Sequence, residues 1–421
     1  MKRVTIHWIL AALLMGAAAI AIAKPAPGKE PAPNPNDACL ACHGDASAKS
    51  EAGKSIAVDA AKFGGSVHGS MQLPCTGCHA DVSADKFPHG KVKAVDCATC
   101  HEKAVKEYST SIHGKARAEG RNVAATCTDC HGSHDIKRSA DATSRTNHAN
   151  IESTCATCHG NDATITKGNI PGGNVAGKYH DSIHGVIVGK KGTNSGAAPT
   201  CTNCHGAHDM RPKSDPESRV SRKNIPDTCG GCHMGVKEIW KNSQHGKLRQ
   251  NLVLVAPGCS DCHSAHAIQA HDKPQWQVDV IKECGNCHGA YLSTYRDTFH
   301  GQVTDLGFAR VATCASCHGA HEMLPKDNPL SKVSSANRLK TCQACHPKAN
   351  ANFVLYEPHA NKHKKEGGVV LYYTALFMQL LLAGVFAFFG LHTVLWLYRS
   401  LQVVSERRAA RRAAQQDGEK H

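Results

Sequence analysis

Eleven Cys-x-x-Cys-His motifs account for all 22 cysteines of this 421-residue chain. The thiols are Cys39 and Cys42, Cys75 and Cys78, Cys97 and Cys100, Cys127 and Cys130, Cys155 and Cys158, Cys201 and Cys204, Cys229 and Cys232, Cys259 and Cys262, Cys284 and Cys287, Cys314 and Cys317, and Cys342 and Cys345. The closing histidines are His43, His79, His101, His131, His159, His205, His233, His263, His288, His318 and His346. Histidine makes up only 29 of the 421 residues, so its presence after every pair reflects a chemical requirement. Two thiols three residues apart share one helical turn and can each add to a vinyl group of one porphyrin. The next residue then sets an imidazole under the iron, which is how haem c is attached. Zinc ribbons need two cysteine pairs per metal and no histidine after each. A thioredoxin-like motif occurs once, within a βαβ unit, and a disulfide framework leaves the histidines unexplained. The expected cofactor is covalent haem c, eleven per chain.

A six-coordinate haem iron needs a second axial ligand, and the spare histidines offer one for each motif. Ser/Thr-x-His-Gly occurs at His68, His113, His184, His245 and His300. His134, His208, His266 and His321 each stand three residues after a proximal histidine. His89, in Phe87-Pro88-His89-Gly90, and His359, in Glu357-Pro358-His359-Ala360, complete a set of eleven distal candidates. A third-position histidine cannot serve its own iron, because the porphyrin plane lies between them, so it has to reach a neighbouring one. His148, His180, His271 and His363 are surplus. Met71, Met234 and Met323 are weaker axial candidates, and methionine would raise a potential that two histidines keep low. With every distal position assigned, no iron face is left for a substrate, and no catalytic residue is expected.

The elements that must position these groups repeat. From His113 onward the unit is Ser/Thr-x-His-Gly, motif, third-position histidine, motif, four times over, with 66–101 a shortened version. The step from distal histidine to first cysteine is 14 residues after His113, His245 and His300, and 17 after His184. The steps to the second motif are 28, 28, 25 and 28 residues. Outside two apolar runs, Val4–Ala23 and Val369–Tyr398, the 343 residues from Lys24 to Glu366 hold 12 aromatic side chains. Aromatics carry much of the buried area of an ordinary core, so chain entropy would defeat this segment on its own. The expected fold is therefore mainly short α-helices and loops scaffolded by covalent haems, with almost no sheet and one C-terminal transmembrane helix. Ala163–Thr200 reads as an inserted loop, in which the Pro and Gly residues of Lys167–Gly173 favour turns over helix.

The ends carry targeting signals. Met1-Lys2-Arg3, an apolar run and Ala21-Ile22-Ala23 form a signal peptide over 1–23, the alternative being an uncleaved anchor. A Pro-rich linker follows at 24–36 and the haem domain at 37–366. The uncharged run 369–398 exceeds the roughly 20 residues that a membrane span needs. The tail 399–421 carries Arg399, Arg407, Arg408, Arg411, Arg412 and Lys420, which marks the cytoplasmic side. The haem domain is then periplasmic, on a single-pass protein of a bacterial cytoplasmic membrane. Gln379 and His392 are polar residues inside the span, and such residues are functional candidates; His392 either reaches the headgroups as an interfacial side chain or lies near the haem or quinone of a b-type cytochrome partner. The formal charge of +14 falls to +9 for the exported part without Lys2, Arg3 and the tail. Eleven haems would add 22 propionates, which many of the Lys and Arg residues would then partner. Export and haem leave no role for nucleic acid.

The doubled Cys-x-x-Cys-His modules, covering about 38–360, resemble the periplasmic multihaem cytochromes c of anaerobically respiring bacteria. A C-terminal span after such a domain is similar to cytochrome subunits that sit beside a membrane b-type cytochrome in quinone-linked complexes. Quinol-dehydrogenase tetrahaem proteins differ in having an N-terminal anchor and four haems, and porin-embedded decahaem cytochromes lack the span. The resemblance implies electron transfer between a quinone-linked membrane partner and periplasmic or extracellular acceptors, with periplasmic redox proteins as partners. The alternative is a reductase or dehydrogenase of nitrite, hydroxylamine or sulfur oxyanions, which requires one open haem.

Overall fold

A computed structural model describes residues 34–83, 85–86, 88–190, 195–253 and 255–418. The signal peptide, most of the linker and the last three residues of the tail lie outside them. The described residues form short helices joined by loops and turns, and their only bridge of extended backbone is Lys49 with Ser55. The chain forms two compact units. One contains the described residues up to Asp96 together with His134–Ile136, and the other runs from Cys97 to Ser133 and onward from Lys137.

The interior has little apolar side-chain filling. The buried hydrophobic residues are Ile151, Ala176, Val188, Ala198, Ala256, Ile281, Tyr295, Ala309 and Ala349, and most of these are alanine. Small polar groups are buried instead, among them Ser66, Ser111, Ser182, Ser243 and Thr200 at 1–2% exposure. Fixing this many helices without a conventional core requires filling from a group that is not amino acid.

Ala163–Thr200 differs from the sequence expectation. It contains the helices Asp162–Gly168, Val175–His180 and Ile183–Gly189, and the turn is confined between the first two. Asn161 and Asn174 explain the restarts, since their side chains accept the Thr164 and Gly177 N–H groups at 2.9 and 2.7 Å.

The last element is a continuous helix, Val369–Gly418, of 50 residues. Within Val369–Gln415 an 18-residue apolar stretch has a mean hydropathy of 2.1, and none of it is buried. Phe386, Phe388 and Trp396 are 73%, 66% and 64% exposed, so no protein surface covers them. At about 1.5 Å per residue the helix is long enough to cross a bilayer and continue beyond it.

Candidate haem-binding sites

Two local designs carry the motifs. Cys127–His131, Cys201–His205, Cys259–His263 and Cys314–His318 are separate five-residue helices. In each, the side chain of the residue before the second cysteine folds back onto the backbone N–H that precedes the first. Asp129 accepts from Thr126 at 2.7 Å, Asn203 from Thr200 at 2.8 Å, Asp261 from Gly258 at 2.7 Å and Ser316 from Thr313 at 3.1 Å. Each helix is followed by a residue of positive φ: Gly132 at 83°, Gly206 at 85°, Ser264 at 61° and Gly319 at 86°. That turn carries the third-position histidine away from its own motif. The motif from Cys155 lies wholly within the helix Ile151–His159, and those from Cys229, Cys284 and Cys342 begin near the end of a preceding helix.

The Ser/Thr-x-His-Gly motif has a full physical account. Its hydroxyl caps a helix by accepting the glycine N–H at 3.0–3.1 Å, from Ser66, Ser111, Ser182, Ser243 and Thr298. The glycine lies against the previous helix: a Cβ on Gly114, Gly185, Gly246 or Gly301 would fall 2.0–2.2 Å from the carbonyl oxygen of Tyr108, Tyr179, Trp240 or Tyr295. The backbone N–H before the histidine donates to another repeat, from Ile112 to Met210, Ile183 to Ile268 and Gln244 to Met323, at 2.7–2.8 Å. Val67 does the same with Ile136. Each acceptor lies two residues past a third-position histidine, so one bond registers both kinds of distal candidate.

Ten proximal histidines each face a distal candidate. The pairs are His43–His89, His79–His134, His131–His208, His205–His266 and His263–His321. The remainder are His113–His159, His184–His233, His245–His288, His300–His346 and His318–His359. Third-position histidines meet the proximal histidine two motifs earlier. The four Ser/Thr-x-His-Gly members among these pairs reach forward past the next motif to the one beyond. His101 and His68 complete the two sets of eleven.

The separations are nearly constant. Ring centroids stand 5.9–6.3 Å apart, while interplanar angles run from 1° to 54°. Three contacts of these histidines with other aromatics, His263–Trp276, Tyr291–His359 and His346–Phe353, are closer, at 5.4, 5.1 and 5.0 Å, whereas His288–Tyr291, at 6.2 Å, falls in the same range as the pairs. An imidazole nitrogen lies about 2 Å from a bound first-row metal and about 1.1 Å from its ring centre, so two rings on one iron stand about 6.2 Å apart. The donor set therefore fits an iron between the rings. Among the described residues no three His, Cys, Asp or Glu side chains converge to hold a metal by themselves. Two imidazoles suit a metal whose other four positions come from a porphyrin.

Ring hydrogen bonds agree. Nδ1 of His43 meets the Ile56 carbonyl at 2.8 Å, Nδ1 of His89 the Gly90 carbonyl at 2.9 Å, and Nδ1 of His359 the Thr294 hydroxyl at 3.0 Å. In His43 and His359 this bond is on Nδ1, the arrangement in which Nε2 is the nitrogen that could bind a metal. Nδ1 of His79 is buried without a partner. His148 is the converse, with Nε2 bonded to the Ala198 carbonyl at 3.0 Å, and His180 bonds Glu152 at 2.7 Å. Met71 and Met234 are 61% and 67% exposed.

Neighbouring motifs lie side by side. The Cys155 and Cys201 thiols bond to each other, which raises the first and lowers the second. Bonds from Cys229 and Cys314 likewise draw Cys259 and Cys284 down to about 7. Burial, then Cys39, pushes Cys75 up to about 11. Burial also raises Cys130, Cys204, Cys262 and Cys317, with contributions from Cys158, Cys232, Cys284 and Cys342 of the next motif. Burial lowers His131, assisted by His208 and His101. Thioethers do not titrate, so for the haem-bearing chain these couplings record proximity: the nine motifs from Cys97 to Cys345 form an unbroken series.

Two recurring groups escaped the sequence reading. Tyr108, Tyr179 and Tyr295 donate to the Ala125, Pro199 and Ala312 carbonyls at 2.7–2.9 Å, two residues before a motif. Asn150, Asn224 and Asn337 each bridge two loop carbonyls at 2.8–3.0 Å. The signal was a fixed offset: an aromatic six residues before each Ser/Thr-x-His-Gly glycine, and Asn five before Cys155, Cys229 and Cys342.

Comparison with known proteins is consistent with this geometry. The chain is 26% identical over 154 residues to the cytochrome c-type protein NrfB of Escherichia coli O6:H1, covering 36% of this chain and 65% of that protein. It is 29% identical over 133 residues to NrfB of Haemophilus influenzae, covering 27% of this chain and 54% of that one. The chain thus spans less than two thirds of the length of either relative. No family model matches, and no solved structure matches. The motifs and this similarity fit a multihaem cytochrome c.

Proposed function

We propose that this protein is a membrane-anchored undecahaem c-type cytochrome. In this reading it carries electrons between a quinone-linked membrane partner, such as a b-type cytochrome, and periplasmic or extracellular acceptors in anaerobic respiration. The observation that carries it is the set of ten imidazole pairs, which uses ten of the eleven distal candidates and leaves those irons no face for a substrate. His68 and His101 keep the axial roles their motifs give them.

Haem supplies one-electron redox chemistry when bound. The chain's own residues do the rest. The cysteine pairs would fix each macrocycle, the paired imidazoles would hold its iron on both faces, and backbone bonds between repeats set the spacing of neighbouring motifs. Val369–Tyr398 spans the cytoplasmic membrane once, with the haem domain in the periplasm and the arginine-rich tail in the cytoplasm.

Carbon monoxide binding by the reduced, unmodified protein tests the reading. An all-histidine protein takes up almost none, and its oxidised form lacks a high-spin electron paramagnetic resonance signal. Uptake of one equivalent per chain would instead favour the reductase with an open haem.

A further inference from the structure

Between the last motif and the C-terminal helix, the turn Phe353–Leu355 leaves large apolar side chains uncovered. Phe353, Leu355 and Tyr356 are 46%, 77% and 60% exposed. The turn is a fixed feature: Arg338 Nη1 donates to the Val354 carbonyl at 2.9 Å, and the Phe353 ring centre lies 5.0 Å from that of His346. Downstream, the chain is fastened twice more. His359 meets Thr294 at 3.0 Å and Lys362 Nζ lies 2.7 Å from Asp297. Only six residues lie between Lys362 and Val369, so the tether to the long helix, seven Cα-to-Cα steps, is at most about 25 Å at roughly 3.6 Å per step. The pairs His318–His359 and His300–His346 therefore belong to the part of the haem domain with the shortest leash to the span.

The surrounding chemistry suits a bilayer surface. Residues 346–366 carry Lys348, Lys362, Lys364 and Lys365 against Glu357 and Glu366. Lys365 lies 5.6 and 5.3 Å from the ring centres of Tyr372 and Tyr373, at the head of the apolar helix where interfacial aromatics belong. Apolar side chains beside lysines form the pattern that binds an anionic lipid interface.

We propose that Phe353–Tyr356 is a membrane-surface foot that seats among the lipid headgroups and holds the last motif against the bilayer. The proposal rests on the anchored reading above. It makes His300–His346 the membrane-side end of the haem series, where electrons pass between the chain and a membrane partner.

Photolabelling tests it on the full-length, haem-loaded protein in phosphatidylcholine–phosphatidylglycerol vesicles that contain a phospholipid with a diazirine near the top of its acyl chain. After irradiation and proteolysis, mass spectrometry should find adducts on the Phe353–Tyr356 peptide and on the C-terminal helix. It should find none around Leu252 and Val255, which are 73% and 80% exposed. Leu355→Glu with Tyr356→Glu should remove the label from the turn, with helix labelling and haem content unchanged. Adducts on the helix but none on the turn would overturn the foot. An unlabelled helix would overturn the anchored reading beneath it.

Discussion

Replacing His208 by alanine tests the crosswise ligation that sets this architecture apart from a string of independent haem modules. His208 follows His205 by three residues, yet its ring faces His131, two motifs earlier, at 5.9 Å and an interplanar angle of 22°. Half of 5.9 Å, about 3 Å, is the depth of that ring centre from the iron, and removing it leaves space for a bound diatomic molecule. One iron of eleven should then become five-coordinate. The reduced variant should bind one carbon monoxide per chain, and the oxidised variant should gain a high-spin resonance. Cysteine substitutions identify the iron. Adding Cys127→Ser and Cys130→Ser removes the haem that His208 serves, so uptake should return to zero. Adding Cys201→Ser and Cys204→Ser removes the haem of its own motif and should leave uptake at one. The reverse pattern would refute the pairing, and His148→Ala, whose Nε2 is committed to the Ala198 carbonyl, should bind none.

Other outcomes follow from the same geometry. Ser264 holds φ 61° and ψ −178°, a conformation nearly confined to glycine that costs a side-chain residue on the order of 1–3 kcal/mol, so Ser264→Gly should raise the thermal midpoint. Gly206→Ala should lower stability by about 1–2 kcal/mol or more, because φ is 85° there and the new Cβ would meet Asp209 at 2.3 Å. Burial raises the Asp129 carboxyl, but the bonds from Thr126, with Arg117 and Arg145, outweigh it and hold the group below its usual value. A depressed carboxyl stabilises above its unfolded value of about 3.9 and loses that contribution as pH falls through the folded value. Asp129→Asn, which keeps the accepting oxygen but not the charge, should therefore melt below the parent by a constant amount above about pH 4, with the gap narrowing as pH falls further. His392→Ala should slow quinol-dependent haem reduction in native membranes while dithionite reduction is unchanged; equal quinol rates would leave the span as an anchor alone.

The cofactor was legible because its chemistry is local: five consecutive residues specify attachment. Ser/Thr-x-His-Gly was legible only as a recurring pattern with a candidate ligand; the hydroxyl cap and the close-approach glycine emerge from the fold. Which ring meets which was not, because it depends on non-local bonds such as Ile112 to Met210 and Ile183 to Ile268. The sequence did show that a third-position histidine must reach away from its own motif, and the positive φ after Cys127–His131 and its equivalents provides the turn that does this. The helices within 163–200 were obscured by Pro171, Gly172 and Gly173, whose effect is confined to one turn between the caps Asn161 and Asn174. Tyr108 and its equivalents were invisible to motif reading, because they act through hydroxyl bonds to carbonyls about 17–20 residues away.

The central claim is that every motif holds a haem. Mass spectrometry of the denatured chain, purified from its native membrane, tests it most directly. The expected result is a single species beginning near Lys24 with eleven covalent haem additions. A mass short by several haems, or a chain carrying zinc, would contradict it.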